Sequence, residues 1–231
     1  AGLIRTEFLF LGRPDAPDVE EQTAVYRKIA ESMDGRRITL RTLDVGGDKP
    51  LEFLPTPAEA NPLLGVRGIR LSLQHRQLLT DQLLAMARVA HQTPVSVMFP
   101  MVSTLDELFA ARGLLDEALA ATGRGRPQDL QVGMMVEVPA AALKAAAFAR
   151  HVDFFSIGTN DLVQYTMAAE RGNAGVARLS DAAHPAVLRL IADVAEAAVP
   201  RGCRIAVCGE AGADPVLIPL LLGLGVQELS V

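Results

Sequence analysis

Two acidic residues each follow an apolar run that is typical of a buried β-strand. Glu137 comes directly after the apolar residues 132–136, and Asp161 follows the run 154–157 by way of Gly-Thr-Asn. The chain between them has room for one crossover helix, so the two strands are expected to be parallel neighbours. Carboxylates at the ends of such strands face one crevice and suit a hard divalent cation held by few protein oxygens. Taken singly, Asp161 could instead cap a helix and Glu137 could pair with a surface arginine.

Arginines also stand where predicted strands end, and a further one follows the acidic pair. They are Arg5, Arg41, Arg67 and Arg171. Converging guanidinium groups repel one another unless an anion neutralises them, and their planar donor geometry suits bidentate binding of phosphate or carboxylate oxygens. Together with the two carboxylates, these arginines predict a small, highly charged substrate that carries phosphate or carboxylate groups.

Cys208 comes at the end of the predicted strand 205–207, and Cys203 precedes the same strand. Residues five apart in a strand project from opposite faces, about 17 Å from each other, so a disulfide between them is not expected. Free thiols fit a reducing compartment, and we therefore expect a cytoplasmic protein.

The elements that must position these residues repeat along the chain as a strand followed by a helix or loop. The predicted strands begin near Leu3, Ile38, Val66, Val95, Val132, Phe154, Ile205 and Val226. Eight such βα units predict an α/β fold, a (β/α)8 TIM-type barrel, as one domain over residues 1–231. The barrel is expected to be truncated near both ends, without its final helix, as a fragment of a longer multidomain chain. An open doubly wound sheet is the alternative, and the polar residues at the strand ends favour the barrel.

Several local patterns add to this scheme. Asp18 is predicted to cap a helix with acids in its first turn, and residues 104–121 and 185–198 are predicted helices. Residues 65–70 are predicted to form a short strand that carries Arg67. A long loop over residues 42–62 follows Arg41 and is expected to form part of the rim of the active site.

The composition argues against several classes of protein. The chain has 231 residues, half of them hydrophobic, and a net charge of −5, which gives no sign of a nucleic-acid-binding surface. No stretch is long and apolar enough for a membrane-spanning helix, and the N-terminus lacks a signal-peptide pattern. We therefore expect neither nucleic-acid binding nor membrane insertion.

Seven short segments carry a resemblance to a known family. They are residues 5–9 (RTEFL), 41–49 (RTLDVGGDK), 61–67 (NPLLGVR), 98–101 (MFPM), 158–162 (GTNDL), 170–173 (ERGN) and 208–210 (CGE). In order and spacing they resemble the phosphoenolpyruvate-binding barrel of enzyme I of the bacterial phosphoenolpyruvate:sugar phosphotransferase system. Pyruvate phosphate dikinases and phosphoenolpyruvate synthases share the arginines, the carboxylate pair and the Cys-Gly. The Gly-Gly-Asp-Lys loop and residues 164–166 (QYT) with 170–173 (ERGN) favour enzyme I.

The resemblance implies a transferase that takes the phosphoryl group from phosphoenolpyruvate, a reaction that depends on positioning and charge stabilisation. Arg5 and Arg41 would hold the phosphoryl group, and Arg67 would neutralise charge on the bridging oxygen that becomes the enolate oxygen. Cys208 would protonate C3 of the enolate and release pyruvate. The remaining implied roles are Mg²⁺ ligation by Glu137 and Asp161 and substrate binding by Asn160, Asp161 and Arg171.

The resemblance also implies partners for this chain. In the family, the phosphoryl acceptor is a histidine on a separate N-terminal domain, which passes the group to a histidine-containing phosphocarrier protein for sugar uptake. The histidines here are interpreted as exposed or capping residues: His75, His91, His151 and His184. The chain is therefore expected to bind phosphoenolpyruvate and Mg²⁺ without completing transfer unaided, and to form a homodimer in its full-length form.

Two hypotheses of other classes remain. A metal-dependent aldolase or lyase acting on a pyruvate enolate would use a similar barrel and carboxylate pair, but it does not require three phosphate-directed arginines or Cys208. A regulatory module that senses phosphoenolpyruvate without turnover would keep the arginines and could lose Cys208 without consequence.

Overall fold

The computed structural model of the protein describes residues 2–47 and 51–231. Within these ranges the chain divides into two compact units. The N-terminal unit comprises residues 3–101 and 106–131, and the C-terminal unit comprises residues 2, 102–105 and 132–231. Asp48 and Lys49 of the predicted glycine loop lie outside the described residues.

The described part of the N-terminal unit contains three parallel strands. They are β1 (Ile4–Arg5), β2 (Ile38–Arg41) and β3 (Val95–Phe99). Arg5 is in register with Arg41, and Arg41 with Met98, so the three strands end at the same edge of their sheet. The helices of this unit are α1 (Val19–Ser32), α2 (Ile69–Gln74), α3 (Arg76–Ala90) and α4 (Leu105–Ala121).

Local sequence signals account for the helices of this unit. The Asp18 side chain accepts a hydrogen bond from the Glu21 N–H at 2.8 Å, which confirms the predicted cap of α1. α4 begins one residue after its predicted start and ends at the predicted residue. α1 packs against α3, and the buried faces of both helices lie against each other and the sheet.

The strand predicted at residues 65–70 is wrong. Ile69 instead begins α2, and Gly68 before it has a φ of 56°, a left-handed conformation that an extended strand does not contain. The Gly68 N–H donates to the Val45 carbonyl at 3.0 Å, so the segment is bound to the loop after β2 as a turn. Val66 and Arg67 lie between Gly65 and Gly68, which leaves too few residues there for the predicted strand.

The C-terminal unit contains four parallel strands. They are β4 (Gln131–Val136), β5 (Phe154–Gly158), β6 (Arg204–Cys208) and β7 (Glu228–Ser230). β4 pairs with β5, β5 with β6 and β6 with β7, each in parallel. The helices of this unit are α5 (Pro139–Leu143), α6 (Ala145–Phe148), α7 (Thr159–Met167), α8 (Pro185–Ala198) and α9 (Leu217–Gly223).

α8 has the bounds predicted from the sequence. Pro185 occupies its first turn, and the His184 side chain caps it by accepting a hydrogen bond from the Ala186 N–H at 3.2 Å. The fully buried Val187, Ile191 and Val194 form its apolar face. In the described ranges, no helix combines the length and hydropathy that crossing a membrane requires.

Candidate functional site

Arg41, at the end of β2, belongs to a buried set of four charged residues, which we call the arginine cluster. Its members are Glu7, Arg41, Asp44 and Arg67, each with an exposed fraction of 5% or less. Arg41 pairs with Glu7 through Nη2 and with Asp44 Oδ2 through Nη1 at 3.2 Å. Arg67 Nη2 lies 3.2 Å from both carboxylate oxygens of Asp44. Two guanidinium groups therefore converge on the same oxygen atom, Asp44 Oδ2.

The two acids of the arginine cluster were not singled out from the sequence. Glu7 and Asp44 give the buried set as many negative as positive formal charges, so the protein itself supplies the neutralising anion that the arginines require. The sequence could have indicated both acids, because each lies within three residues of a predicted site arginine. Glu7 Oε2 is buried and has no hydrogen-bond partner among the described residues.

A small apolar core holds the chain that carries Asp44. It consists of Phe10, Leu43, Val45, Leu51 and Leu71, all buried, with Val66 and Leu78 packed against them. Leu43 and Val45 flank Asp44, so their burial points the intervening carboxylate away from this core and toward the two arginines. The part of the predicted rim loop that the structure describes is thus anchored next to the arginine cluster.

Arg5 lies in a different environment from Arg41. The two backbones are in register on adjacent strands, but the Arg5 side chain is exposed and its guanidinium lies 5.3 Å from the centre of the Phe8 ring. Phe8 is itself 73% exposed, so this cation–π contact lies in solvent. The structure thus separates Arg5 from the buried members of the arginine cluster, and its role in phosphoryl binding stays a prediction.

In the C-terminal unit, Glu137 directly follows β4 and is almost completely buried, at 1% exposure. Across the sheet, Val136 is in register with Ile157, which places Gly158 beside the Glu137 carboxylate. A Cβ atom on Gly158 would lie 2.8 Å from Glu137 Oε2 and 3.0 Å from Met135 Sδ. Only glycine leaves room here for the carboxylate, so the strand pair forms a cradle around Glu137.

The predicted ligands of Mg²⁺ are the two carboxylates that follow β4 and β5. Asp161 lies in the first turn of α7, three residues after Gly158, and supplies the second carboxylate at this end of the sheet. In the described ranges no group of three or more His, Cys, Asp or Glu residues could hold a metal ion. Mg²⁺ usually keeps several waters and binds through one or two carboxylates plus substrate oxygens, which a pair of acids can satisfy.

Asn160 and Cys208 are tied together through the turn after β6. The Asn160 Oδ1 atom accepts a hydrogen bond from the Glu210 N–H at 3.2 Å, and the Thr159 hydroxyl donates to the Cys208 carbonyl at 3.1 Å. Cys208 is buried, and the Ser156 hydroxyl donates to its Sγ atom at 3.3 Å. The contact with Ser156 was not predicted, because it joins side chains on two strands, β5 and β6, that are far apart in the sequence.

The two cysteines are free, as predicted. Burial raises the pKa of Cys203 to about 11, with a further contribution from Asp153, so this thiol stays protonated near neutral pH. Cys203 lies before β6 and Cys208 ends it. Only Cys208 therefore lies at the sheet edge that also carries Glu137 and Asp161.

A cavity of about 80 Å³ lies beside the start of α7. Among its lining residues are Asn160, Gln164, Arg171, Ser180 and Glu210. The Arg171 N–H donates to Gln164 Oε1 at 2.8 Å, which fixes the loop that brings Arg171 back toward Asn160. The structure therefore brings together two of the predicted substrate-binding residues.

The whole chain is similar to proteins of a known family. The model of the family described as PEP-utilising enzyme, PEP-binding domain, matches residues 1–231. The phosphoenolpyruvate-protein phosphotransferase of Geobacillus stearothermophilus is 49% identical over 232 residues, which cover 99% of this chain and 40% of that protein. The protein of the same name from Bacillus subtilis (strain 168) is 47% identical over 99% of this chain and 41% of its own length. The chain thus spans about two fifths of these relatives, and the predicted resemblance is confirmed.

A solved structure is similar in fold. It is an HpcH/Hpal aldolase/citrate lyase family protein from Burkholderia cenocepacia J2315, with a TM-score of 0.59 and 18% sequence identity over 99% of this chain and 77% of that one. The likeness concerns the fold alone, and it confirms the predicted α/β class of the TIM-barrel type. At this identity, the name of that protein carries no information about the reaction of this chain.

Proposed function

The chain belongs to the PEP-utilising enzymes, as their PEP-binding domain, and on this premise we propose that it is the phosphoenolpyruvate-binding catalytic domain of a phosphoenolpyruvate-protein phosphotransferase. The observation that carries the proposal is the convergence of Arg41 and Arg67 on the single oxygen Asp44 Oδ2. A phosphoryl oxygen has the charge and acceptor capacity to be bound in the same way. Phosphoenolpyruvate supplies such oxygens together with a carboxylate.

The arginine cluster performs the electrostatic part of the reaction in this proposal. Arg41, with Arg5, binds the phosphoryl oxygens, and Arg67 stabilises the negative charge that develops on the bridging oxygen as its bond to phosphorus breaks. Glu7 and Asp44 hold the two buried guanidiniums in place when no ligand is bound. Because these acids are internal counter-charges, the substrate has to compete with them for guanidinium N–H donors.

The residues of the C-terminal unit orient the substrate and supply a proton. Glu137 and Asp161 would hold Mg²⁺, which when bound neutralises phosphate and carboxylate charge on the substrate. Asn160 and Arg171 orient the substrate through its oxygen atoms. The Cys208 thiol gives its proton to C3 of the enolate, so that pyruvate leaves while the phosphoryl group passes to a histidine nitrogen.

The partners follow from this reaction. We propose that the phosphoryl acceptor is a histidine on another domain, that a histidine-containing phosphocarrier protein receives the group next, and that the full-length protein is a cytoplasmic homodimer. The two free cysteines fit a reducing compartment. Nothing observed in the site favours the aldolase or lyase hypothesis over this one, and the buried arginine pair is a feature that hypothesis does not need.

Titration calorimetry of the chain with phosphoenolpyruvate, with and without Mg²⁺, tests the proposal. The wild-type chain should bind saturably and need the metal, while Arg41→Met should weaken binding about 10–100-fold, since a charge-assisted hydrogen bond contributes about 1.5–3 kcal/mol. Arg13→Met is the matched control, because Arg13 is a more exposed arginine of the same unit that pairs with Glu21. A wild-type chain shown to be folded by circular dichroism that fails to bind would refute the proposal.

A further inference from the structure

Gln82 on α3 is the polar exception on a buried helix face. Leu79, Leu83 and Met86 share this face by helical spacing, and all of them, like Gln82, are at most 1% exposed. Burying an amide is favourable only when its hydrogen-bonding groups find partners. The partners of Gln82 therefore explain why an amide occupies this position.

Both ends of the Gln82 amide are used. Nε2 donates to the Thr6 hydroxyl oxygen at 3.0 Å and to the Tyr26 hydroxyl oxygen at 3.2 Å. Oε1 accepts a hydrogen bond from the Leu43 N–H at 2.8 Å. The Tyr26 hydroxyl in turn donates to Gln22 Oε1 at 3.2 Å, which ends the chain of contacts on α1. One side chain thus connects two helices to the exit of β2.

The contacts of Gln82 reach the main chain on both sides of Thr42. On one side, the Thr6 hydroxyl donates to the Arg41 carbonyl at 2.9 Å, so Gln82 acts on Arg41 through Thr6. On the other side, the bond from the Leu43 N–H fixes the residue that precedes Asp44. Arg41 and Asp44 form an ion pair, and the Asp44 carboxylate also binds the guanidinium of Arg67.

We propose that Gln82 is a positioning residue for phosphoenolpyruvate binding, which acts by fixing the backbone from Arg41 to Asp44 so that the two guanidiniums of the arginine cluster meet at one point. This inference rests on the proposed function. The hydrogen bonds of Gln82 go to Thr6, Tyr26 and Leu43, so its effect on the guanidiniums passes through Thr6 and the backbone of the strand exit. Small displacements of orienting groups have large effects on binding and catalysis.

The test compares Gln82→Met with Leu83→Ala in the 231-residue chain. Gln82→Met keeps the side-chain length and removes all three hydrogen bonds, whereas Leu83→Ala removes buried apolar volume from the next position and leaves those bonds intact. Both variants should unfold at lower urea concentration than the wild type. Only Gln82→Met should weaken phosphoenolpyruvate binding, by about tenfold, as expected when a partner that orients a binding residue is lost. Equal affinities in the two variants would overturn the proposal.

Two further variants keep the test decisive if Gln82→Met does not fold. Thr6→Val preserves the shape of the side chain but removes the hydroxyl that links Gln82 to Arg41, and it should weaken binding in the same direction. Tyr26→Phe removes the hydroxyl that links Gln82 to α1 rather than to Arg41, and it should leave the affinity unchanged. If Tyr26→Phe weakened phosphoenolpyruvate binding more than Thr6→Val did, the effect of Gln82 would not pass through Thr6.

A second readout separates this inference from the proposed function. Phenylglyoxal modifies accessible arginines, and mass spectrometry of the peptide that contains Arg41 reports its rate of modification without any phosphoenolpyruvate. The rate should rise in Gln82→Met and Thr6→Val, but not in Leu83→Ala or Tyr26→Phe. If the variants show this pattern of Arg41 modification but the wild-type chain does not bind phosphoenolpyruvate, the proposed function is refuted and the positioning role is supported. Unchanged Arg41 reactivity in a chain that does bind would refute the positioning role alone.

Discussion

The arginine cluster and the strand ends of the C-terminal unit hold their polar side chains in place by different means. In the arginine cluster, buried charges of both signs neutralise each other, with Asp44 shared between Arg41 and Arg67. In the C-terminal unit, the contacts that position Cys208 and Asn160 are hydrogen bonds from a hydroxyl and a main-chain N–H. The charged residues of the arginine cluster depend on one another for stability, whereas Cys208 and Asn160 depend on the sheet that carries them.

This difference separates the expected effects of substitution. Removing a member of a buried ion cluster leaves an uncompensated charge and destabilises the fold. Removing a side chain that is held at a strand end by uncharged hydrogen bonds leaves the fold largely intact and affects the chemistry instead. Three substitutions test this contrast, beginning with the largest expected effect.

Asp44→Ala should destabilise the protein most. It leaves two buried guanidinium groups without their shared carboxylate, and breaking a buried ion pair in this way typically costs about 3–5 kcal/mol. Urea denaturation followed by circular dichroism measures the loss. Asp18→Ala, which removes an exposed helix cap, is the control and should cost about 1 kcal/mol. If Asp44→Ala were no more destabilising than the control, the arginine cluster would not depend on internal neutralisation.

Cys208→Ala should leave stability and phosphoenolpyruvate binding almost unchanged, yet slow pyruvate formation at least about a hundredfold, the usual contribution of a general acid. The assay supplies the domain that carries the unphosphorylated acceptor histidine and measures pyruvate release. Cys203→Ala is the matched control, because the Cys203 thiol lies at the other end of β6 and should have no part in turnover. Full activity in Cys208→Ala would show that another group protonates the enolate, whereas a wild-type chain that binds phosphoenolpyruvate but releases no pyruvate in this assay would favour the sensing module.

Gly158→Ala sharpens the comparison within the C-terminal unit. The added methyl group would lie 2.8 Å from Glu137 Oε2, so the carboxylate has to move. We expect Mg²⁺-dependent binding to weaken about tenfold, as when a group that orients a metal ligand is disturbed. Gly113→Ala is the control, since a Cβ there meets nothing within 4 Å and a helical alanine should stabilise α4 slightly. Equal metal dependence in both variants would count against Glu137 as a ligand.

The sequence predicts best what depends on neighbouring residues. The bounds of α8, the cap of α1 and the strands that end at Glu137 and Cys208 were predictable because apolar runs, caps and breakers are local signals. The positions of Glu137 and Cys208 follow from those strands. Their roles as metal ligand and proton donor remain predictions.

The sequence predicts poorly what depends on distant contacts. The strand expected at residues 65–70 failed because the loop after β2 captures Gly68 through its N–H, a contact that the local pattern does not encode. The pairing of Arg41 with Glu7 joins residues 34 positions apart, and the pairing of Arg67 with Asp44 joins residues 23 apart. From the arginines at strand ends alone, we predicted that a bound anion must neutralise them. In the structure, the carboxylates of Glu7 and Asp44 already neutralise Arg41 and Arg67.

The two hydrogen bonds between the start of α7 and the turn after β6 also set an order of assembly during synthesis. They join residues about 50 positions apart along the chain, Thr159 to Cys208 and Asn160 to Glu210. On a ribosome that extends the chain from its N-terminus, the residues of α7 emerge before those of β6. The Asn160 amide therefore cannot be held in its final position until the turn after β6 has been synthesised, so this part of the predicted substrate site is completed late.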